Sequence, residues 1–402
     1  MKKIFIALVL MVFVAAIVLA LLAIRSGTSL SGLFALLRPA PEKPLAGEPL
    51  SFSLPEGFTA RLYSDAVPGA RVMERDPYGS ILVSLPRKGS VVAIRDGDGD
   101  GFAEDLQEVV GGLNAPHGLS FACDEFGVRP CELYIAEEDA VRSYSYDEAT
   151  RTATLKETIA ELPHGDGHST RSLMLHPDGK RLLVSIGSSC NVCEESDPRR
   201  AAIFAINVGT KEMGPFASGL RNTVFMTTHP VTGEIWGTDM GRDLLGDDIP
   251  PEEVNIIREG AWYGWPWYYG KNTLDKTFLP DEKPTVDKEP TASHIDMQAH
   301  SAPLGLAFIP EEGWPEKYWF DLIVAFHGSW NRSIPTGYKL VRIDLDAEGN
   351  FSGTIDDFMT GFMVDGDVIG RPVALLVEPG GVMYVSDDRA GAIYRITLDL
   401  LE

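Results

Sequence analysis

One nine-residue stretch, HGDGHSTRS (164–172), carries His164, Asp166, His168 and Arg171. Histidines and a carboxylate this close together suit a metal site. One supported histidine suits a general base, because a neutral imidazole accepts a proton near neutral pH. A polar loop without chemistry is the third reading. Gly165 and Gly167 favour a loop whose backbone comes close to a ligand.

Other stretches hold residues of the same kinds. RDGDGDGFAED (95–105) places Asp96, Asp98 and Asp100 at alternate positions before Gly101, the first half of a calcium loop. Its twelfth position is Gln107 rather than Glu and no helices flank it, so an EF-hand is excluded and a structural calcium staple is expected. TDMGRDLLGDDIPPEEVN (238–255) holds carboxylates from Asp239 to Glu253, either a solvated acidic face or a second calcium cradle. Arg221 in GLRN, Arg332 in SWNRS and Arg371 in GRP each adjoin a strand-like run. In a chain with a net charge of −23, three arginines converging on one place make a pocket for carboxylates or phosphates.

Cys123 and Cys131 flank a short turn, which predicts a disulfide across a hairpin. Cys190 and Cys193 form CNVC, and the next residue is Glu194 rather than His, so covalent haem attachment is excluded at this motif. A redox-active pair or half a zinc site are the alternatives to a local disulfide there.

The elements that must position these residues repeat. A turn and an alternating strand recur at DPYGSILVSL (76–85), GVRPCELYIA (127–136), HPDGKRLLVSIG (176–187), HPVTGEIWGTD (229–239), EKYWFDLIVAFHG (316–328) and EPGGVMYVSDD (378–388). Each is preceded and followed by further short strands, giving units of about 50 residues, as in propeller blades. The fifth is lengthened by an insert around 262–300. The expected fold is all-β, a six-bladed β-propeller over 51–402, with FTARLYS (58–64) closing the ring against the last blade. A β-sandwich or two β-domains is the rival. A propeller brings loops from every blade to one channel, so residues far apart in sequence can meet.

Ahead of it, Lys2 and Lys3 precede the uncharged run Ile4–Ile24, whose helix would rise about 31 Å, enough to span a bilayer core. Residues 1–26 are therefore expected to be a transmembrane helix or a signal segment, and 27–50 a linker. The lysines favour export of the remainder, anchored to the inner membrane on the periplasmic side, or secreted after cleavage. A pI of about 4.7 argues against nucleic acid as a partner.

Taken together, HGDGHSTRSLMLHPDGKRLLVSIGS, GLRNTVFMTTHPVTGEIWGTDMGRD, GAWYGWP, AFHGSWNRS and GRPV…YVSDDRAGAIYRI resemble the pyrroloquinoline quinone (PQQ) dependent glucose/sorbosone dehydrogenases, in particular the sorbosone and aldose sugar dehydrogenase branch. The resemblance covers about residues 50–400. It implies a propeller with PQQ on the channel axis and His168 as catalytic base. Arg221, Asn222, Arg332 and Arg371 would be cofactor contacts. The carbonyls of Gly241 and Arg242 would hold a calcium ion against the cofactor, and His117 and Trp330 would lie on the substrate side. Val224, Val373 and Ala374 depart from the glucose-type pattern, so one cofactor contact and one substrate contact of that branch are not carried over, and glucose is not implied. A sugar is the implied substrate. With no haem motif, an external acceptor such as a cytochrome or quinone must take the electrons. A calcium-dependent propeller lactonase and a binding platform without catalysis are the competing functions.

Overall fold

The computed structural model describes residues 50–123, 131–279, 282, 284 and 286–399. The apolar run Ile4–Ile24 and the linker up to residue 49 lie outside the described residues. Among the described residues, no helix is long and apolar enough to cross a membrane.

Six four-stranded antiparallel sheets make the fold, and each is one blade. Their innermost strands are Met73–Arg75, Leu119–Ala122, Arg171–Leu175, Thr223–Thr228, Pro303–Phe308 and Pro372–Glu378. Phe58–Ser64 pairs antiparallel with Ala392–Leu398 and supplies the outer strand of the sixth blade, as the sequence predicts. The insert is placed differently. It lies between Glu252–Ile257 and Ile295–Met297, the third and fourth strands of blade four, rather than in the fifth unit. That closing strand has three residues, too few to show an alternating pattern.

Burial explains the sequence texture. Second strands such as Ile81–Leu85 (ILVSL) and Leu322–Phe326 (LIVAF) are buried at every position, because neighbouring blades cover both faces. Such strands read as continuous apolar runs. Outer strands such as Thr152–Glu161 (TATLKETIAE) are largely exposed. The core is thus a set of layers between blades. Leu82, Val91 and Ala93 of blade one pack with Leu133, Ile135 and Tyr144 of blade two. Trp236, fully buried, packs edge-on against His294 and Phe308 between blades four and five.

Around the channel the blades are laced by short-range polar contacts. Gly118 N–H donates to the Arg171 carbonyl at 2.9 Å. A Cβ at Gly118 would fall 2.4 Å from Leu173 N, so this seam requires glycine. Thr238 Oγ1 donates to the Leu304 carbonyl (2.6 Å) and Ser386 Oγ to the Arg71 carbonyl (2.8 Å). The Ser172 and Ser185 hydroxyls reach the Val224 and Thr223 carbonyls. Phe225 packs against core layers from across the ring and so fills the axis. Beyond it the channel continues as a cavity of about 480 Å³ lined by residues such as Met73, Leu306 and Leu375.

Candidate active site at the channel mouth

All six inner strands start at one end of the channel, so the residues just before them share one mouth. His168 lies there, partly buried, before the inner strand of blade three. Its Nδ1 is 3.0 Å from both the carbonyl and the hydroxyl of Ser188. A carbonyl can only accept, so the proton sits on Nδ1 and Nε2 keeps its lone pair. Burial, then the Arg221 guanidinium, with Arg171 and Arg200 behind it, push His168 down to about 4. The imidazole is neutral at physiological pH and is oriented as a base. Gly187 permits this placement, since a Cβ there would lie 2.5 Å from Asn222 Oδ1 and 2.6 Å from His168 Cβ.

Arg171 is a structural cation. It is fully buried and donates to the carbonyls of Glu138 (3.1 Å), His168 (2.7 Å), Thr170 (2.9 Å) and Pro163 (2.6 Å). It therefore ties down the 163–170 loop from below. His164 and Asp166 are exposed and take no part.

Next to this loop a cavity of about 260 Å³ is lined by Arg71, Ala115, His117, Ser169, Thr170 and Asp388 among others. His117 is buried, and its ring nitrogens are closed to solvent, with the Arg171 carbonyl as the polar group that faces the ring. Burial, then the Arg71 charge, hold its protonation far below the usual range. His117 thus forms part of the cavity wall as a neutral ring whose nitrogens are turned away from the open space. The Phe225 ring stands 5.8 Å from the His117 ring and lines the far-channel cavity behind it. Arg71 Nη1 pairs with Asp388 at 3.0 Å, and Asp388 also accepts from His327 Nε2 at 3.0 Å. Burial opposes ionisation of Asp388, but His327, Arg71 and Arg371 outweigh it and hold its pKa well below the carboxylate range. Burial and the Arg371 charge bring His327 down to about 4. Arg371 donates to the carbonyls of His327 and Gly328, both at 3.1 Å.

The three arginines expected to converge do not. Arg371 stands with Arg71. Arg221 lies near His168, and all five of its N–H groups have protein acceptors: Asn191 O and Oδ1 (3.0 Å each), Gly241 O (2.8 Å), Met240 O (3.3 Å) and Asp243 Oδ2 (3.4 Å). Arg332 pairs with Asp248 at 3.0 Å on the rim, and Trp330 beside it is exposed. Asn222 is buried, and its Oδ1 accepts from Thr170 Oγ1 at 3.3 Å.

The acidic run 238–255 is neither a solvated face nor a cradle of free oxygens. Asp239, Glu252 and Glu253 are buried and hold backbone N–H groups of Arg221 and Asn222, of Gly241 and Ala302, and of Gly270. Burial pushes Asp239 up to about 7 and both glutamates up to about 8. Asp243, Asp247 and Asp248 reach across to Asn331, Ser333 and Arg332 of blade five. Elsewhere, the Asp96, Asp98 and Asp100 carboxylates gather within 4.8 Å of one another, at the end of blade one opposite the mouth. Cys123–Cys131 and Cys190–Cys193 are both disulfides, so no thiolates remain for zinc.

A family model described as TrAA12-like matches residues 52–399. The chain belongs to the TrAA12-like family. An uncharacterised protein of Borreliella burgdorferi is 29% identical over 367 residues, 88% of this chain and 93% of that one. A pyrroloquinoline quinone-dependent pyranose dehydrogenase of Coprinopsis cinerea is 23% identical over 390 residues, 78% of this chain. The chain spans about half of that relative, 51% of its length. Among solved structures, a Trichoderma reesei carbohydrate-active enzyme of family AA12 superposes with a TM-score of 0.74 at 22% identity, over 89% of this chain and 100% of that one. The six-bladed ring is therefore shared with TrAA12-like relatives.

PQQ, the cofactor named for the Coprinopsis relative, is a planar tricarboxylate, and the residues at the mouth fit such a group. Arg71 and Arg371 supply positive charge, one unit of which the Asp388 carboxylate offsets, and Thr170 and Asn222 add polar atoms. A calcium ion on the Gly241 carbonyl does not fit. Arg221 Nη1 already lies 2.8 Å from that oxygen and puts a guanidinium charge where the ion would sit. Arg71, Asp388 and His327 escaped the sequence reading. Arg71 carried a positional signal, standing two residues before an inner strand as His117 does, whereas His327 and Asp388 each directly follow a second strand.

Proposed function

We propose that this chain is a PQQ-dependent dehydrogenase of pyranoses or related aldoses, with the cofactor seated at the channel mouth. One observation carries the reading: a neutral histidine with Nε2 open, beside a cavity lined by an arginine. His168 Nε2 takes the proton of the sugar hydroxyl. Ser188 fixes the ring and its tautomer, and Arg171 fixes the loop. Arg71 and Arg371 would hold carboxylates of the cofactor, His117 and Thr170 would line its seat, and Asn222 would orient it. The bound cofactor supplies the hydride acceptor. Phe225 fills the axis toward the far channel. A separate cytochrome or quinone takes the electrons onward.

The three aspartates at 96, 98 and 100 are assigned to a structural calcium ion. Two disulfides support an oxidising compartment, and Ile4–Ile24 is assigned to export or anchoring on the periplasmic side. The deciding experiment adds PQQ to apo protein and follows cofactor absorbance and dye-linked oxidation across a panel of pyranoses and aldoses. Saturable PQQ binding with turnover of at least one sugar is expected. No binding and no turnover across the panel would reject the proposal.

A further inference from the structure

The four-residue ring closed by Cys190–Cys193 sits in the loop between the second and third strands of blade three, on the mouth face. It touches both sides of the site. Ser188, whose carbonyl and hydroxyl hold His168 Nδ1, donates from Oγ to the Cys190 carbonyl at 2.8 Å. Ser188 N–H in turn donates to the Arg221 carbonyl at 2.8 Å. Asn191, inside the ring, accepts Arg221 Nε on its carbonyl and Arg221 Nη2 on Oδ1, both at 3.0 Å. The same Oδ1 accepts from Asp243 N–H at 2.8 Å, and Nδ2 donates to the Asp243 carbonyl at 3.0 Å. On the outer side Glu195 anchors Ser189 through N–H (2.7 Å) and Oγ (2.6 Å). Val192 packs on the Trp262, Trp267 and Phe278 cluster of the blade-four insert.

We infer that the Cys190–Cys193 loop is a positioning element of the active site, aligning His168 through Ser188 and holding Arg221 through Asn191. A four-residue segment would otherwise sample many conformations, and the cross-link removes that freedom. The charged groups facing His168 are Arg221, Arg171 and Arg200. Arg171 and Arg200 are held by carbonyls of the 163–170 loop, Glu138 and Gly187. Arg221 alone of the three is held by the disulfide loop. Opening the loop should therefore release one positive charge from His168 and loosen its ring.

The kinetic arm rests on the proposed dehydrogenase function; the spectroscopic arm does not. In apo protein carrying isotope-labelled histidine, the His168 resonance is assigned with His168→Gln and titrated by NMR. Two variants are compared with the wild type: Asn191→Ala, and Cys190→Ser with Cys193→Ser, each checked for folding by thermal melting. The protonation midpoint of His168 should rise by about one pH unit or more, the usual effect of a nearby like charge moving away. In the reconstituted enzyme kcat should fall about tenfold or more at an unchanged KM for sugar, and the acid limb should move to higher pH. A folded variant of either kind with the wild-type midpoint would overturn the inference. A wild type that oxidises no sugar would count against the dehydrogenase reading while leaving the NMR comparison decisive.

Discussion

The sharpest consequence of the mouth geometry concerns acid pH. An imidazole with the ordinary pKa of 6.5 would be about 9% neutral at pH 5.5, whereas one brought down to about 4 is about 97% neutral. At pH 5.5 the two cases differ about tenfold in competent base. The assay is dye-linked initial rates at sugar concentrations well below KM, from pH 4 to 8, because kcat/KM reports groups of the free enzyme. Activity should be nearly flat from pH 7 to 5.5 and fall only toward pH 4. His168→Gln should lower turnover by about 10²–10⁴, leave PQQ binding intact and abolish the limb. A limb centred at 6–6.5 in wild-type enzyme would refute the argument that burial and Arg221 hold the ring neutral. The same shift acts on stability. The unfolded state takes up this proton between pH 6.5 and 4 while the folded state does not, so this contribution is full above 6.5 and is lost as pH falls through 4.

Gly187→Ala should displace His168 and Asn222 together and lower turnover about 100-fold with a folded protein, as kinetics and a thermal melt would reveal. Arg71→Ala should weaken PQQ binding about 10- to 100-fold, the effect of removing one charge-assisted hydrogen bond, measured by absorbance titration. Glu252, pushed up from 4.5 to about 8 by burial, keeps a proton that the unfolded chain releases. Its contribution is full below pH 4.5 and is lost as pH rises through 8, so Glu252→Gln should flatten the decline in Tm from pH 6 to 8.5 seen by calorimetry. Calcium chelation should lower the Tm of the wild type and leave that of Asp96→Asn unmoved; equal melts for treated and untreated wild type would dismiss the aspartate staple.

The ring was legible in the chain because a blade buried on both sides writes a continuous apolar run in its second strand, and turns separate one run from the next. Even the closing strand at 58–64 could be read, since its alternation has no partner in the first unit. The insert was misplaced because Ile295–Met297 is too short to carry a pattern. His168 could be singled out from its place at the opening of the third unit, with glycines at 165 and 167 beside it, whereas Asn222 and His117 came only through the family resemblance. Arg71 sits in PGARVMER, where Gly69 and the arginine read as an ordinary turn leading into a strand. Arg171 illustrates a deeper limit. A buried guanidinium holding four carbonyls and one waiting for an anion have the same letter, and only the surrounding acceptors separate them. Arg221 and Gly241 show the same limit, because a guanidinium in the expected place of an ion is visible only in three dimensions.

The seam between Phe58–Ser64 and Ala392–Leu398 has a consequence for how the protein is made. The strand synthesised first waits for the strand synthesised last, and at about 5–20 residues per second that interval is roughly 20 to 70 seconds. Throughout it the nascent chain is an open arc whose first and last blades each present an apolar face with no neighbour. Blade-by-blade folding is local and quick, but ring closure has the longest contact distance in the molecule and comes last. Once closed, every blade of the ring is flanked by a neighbour on both sides.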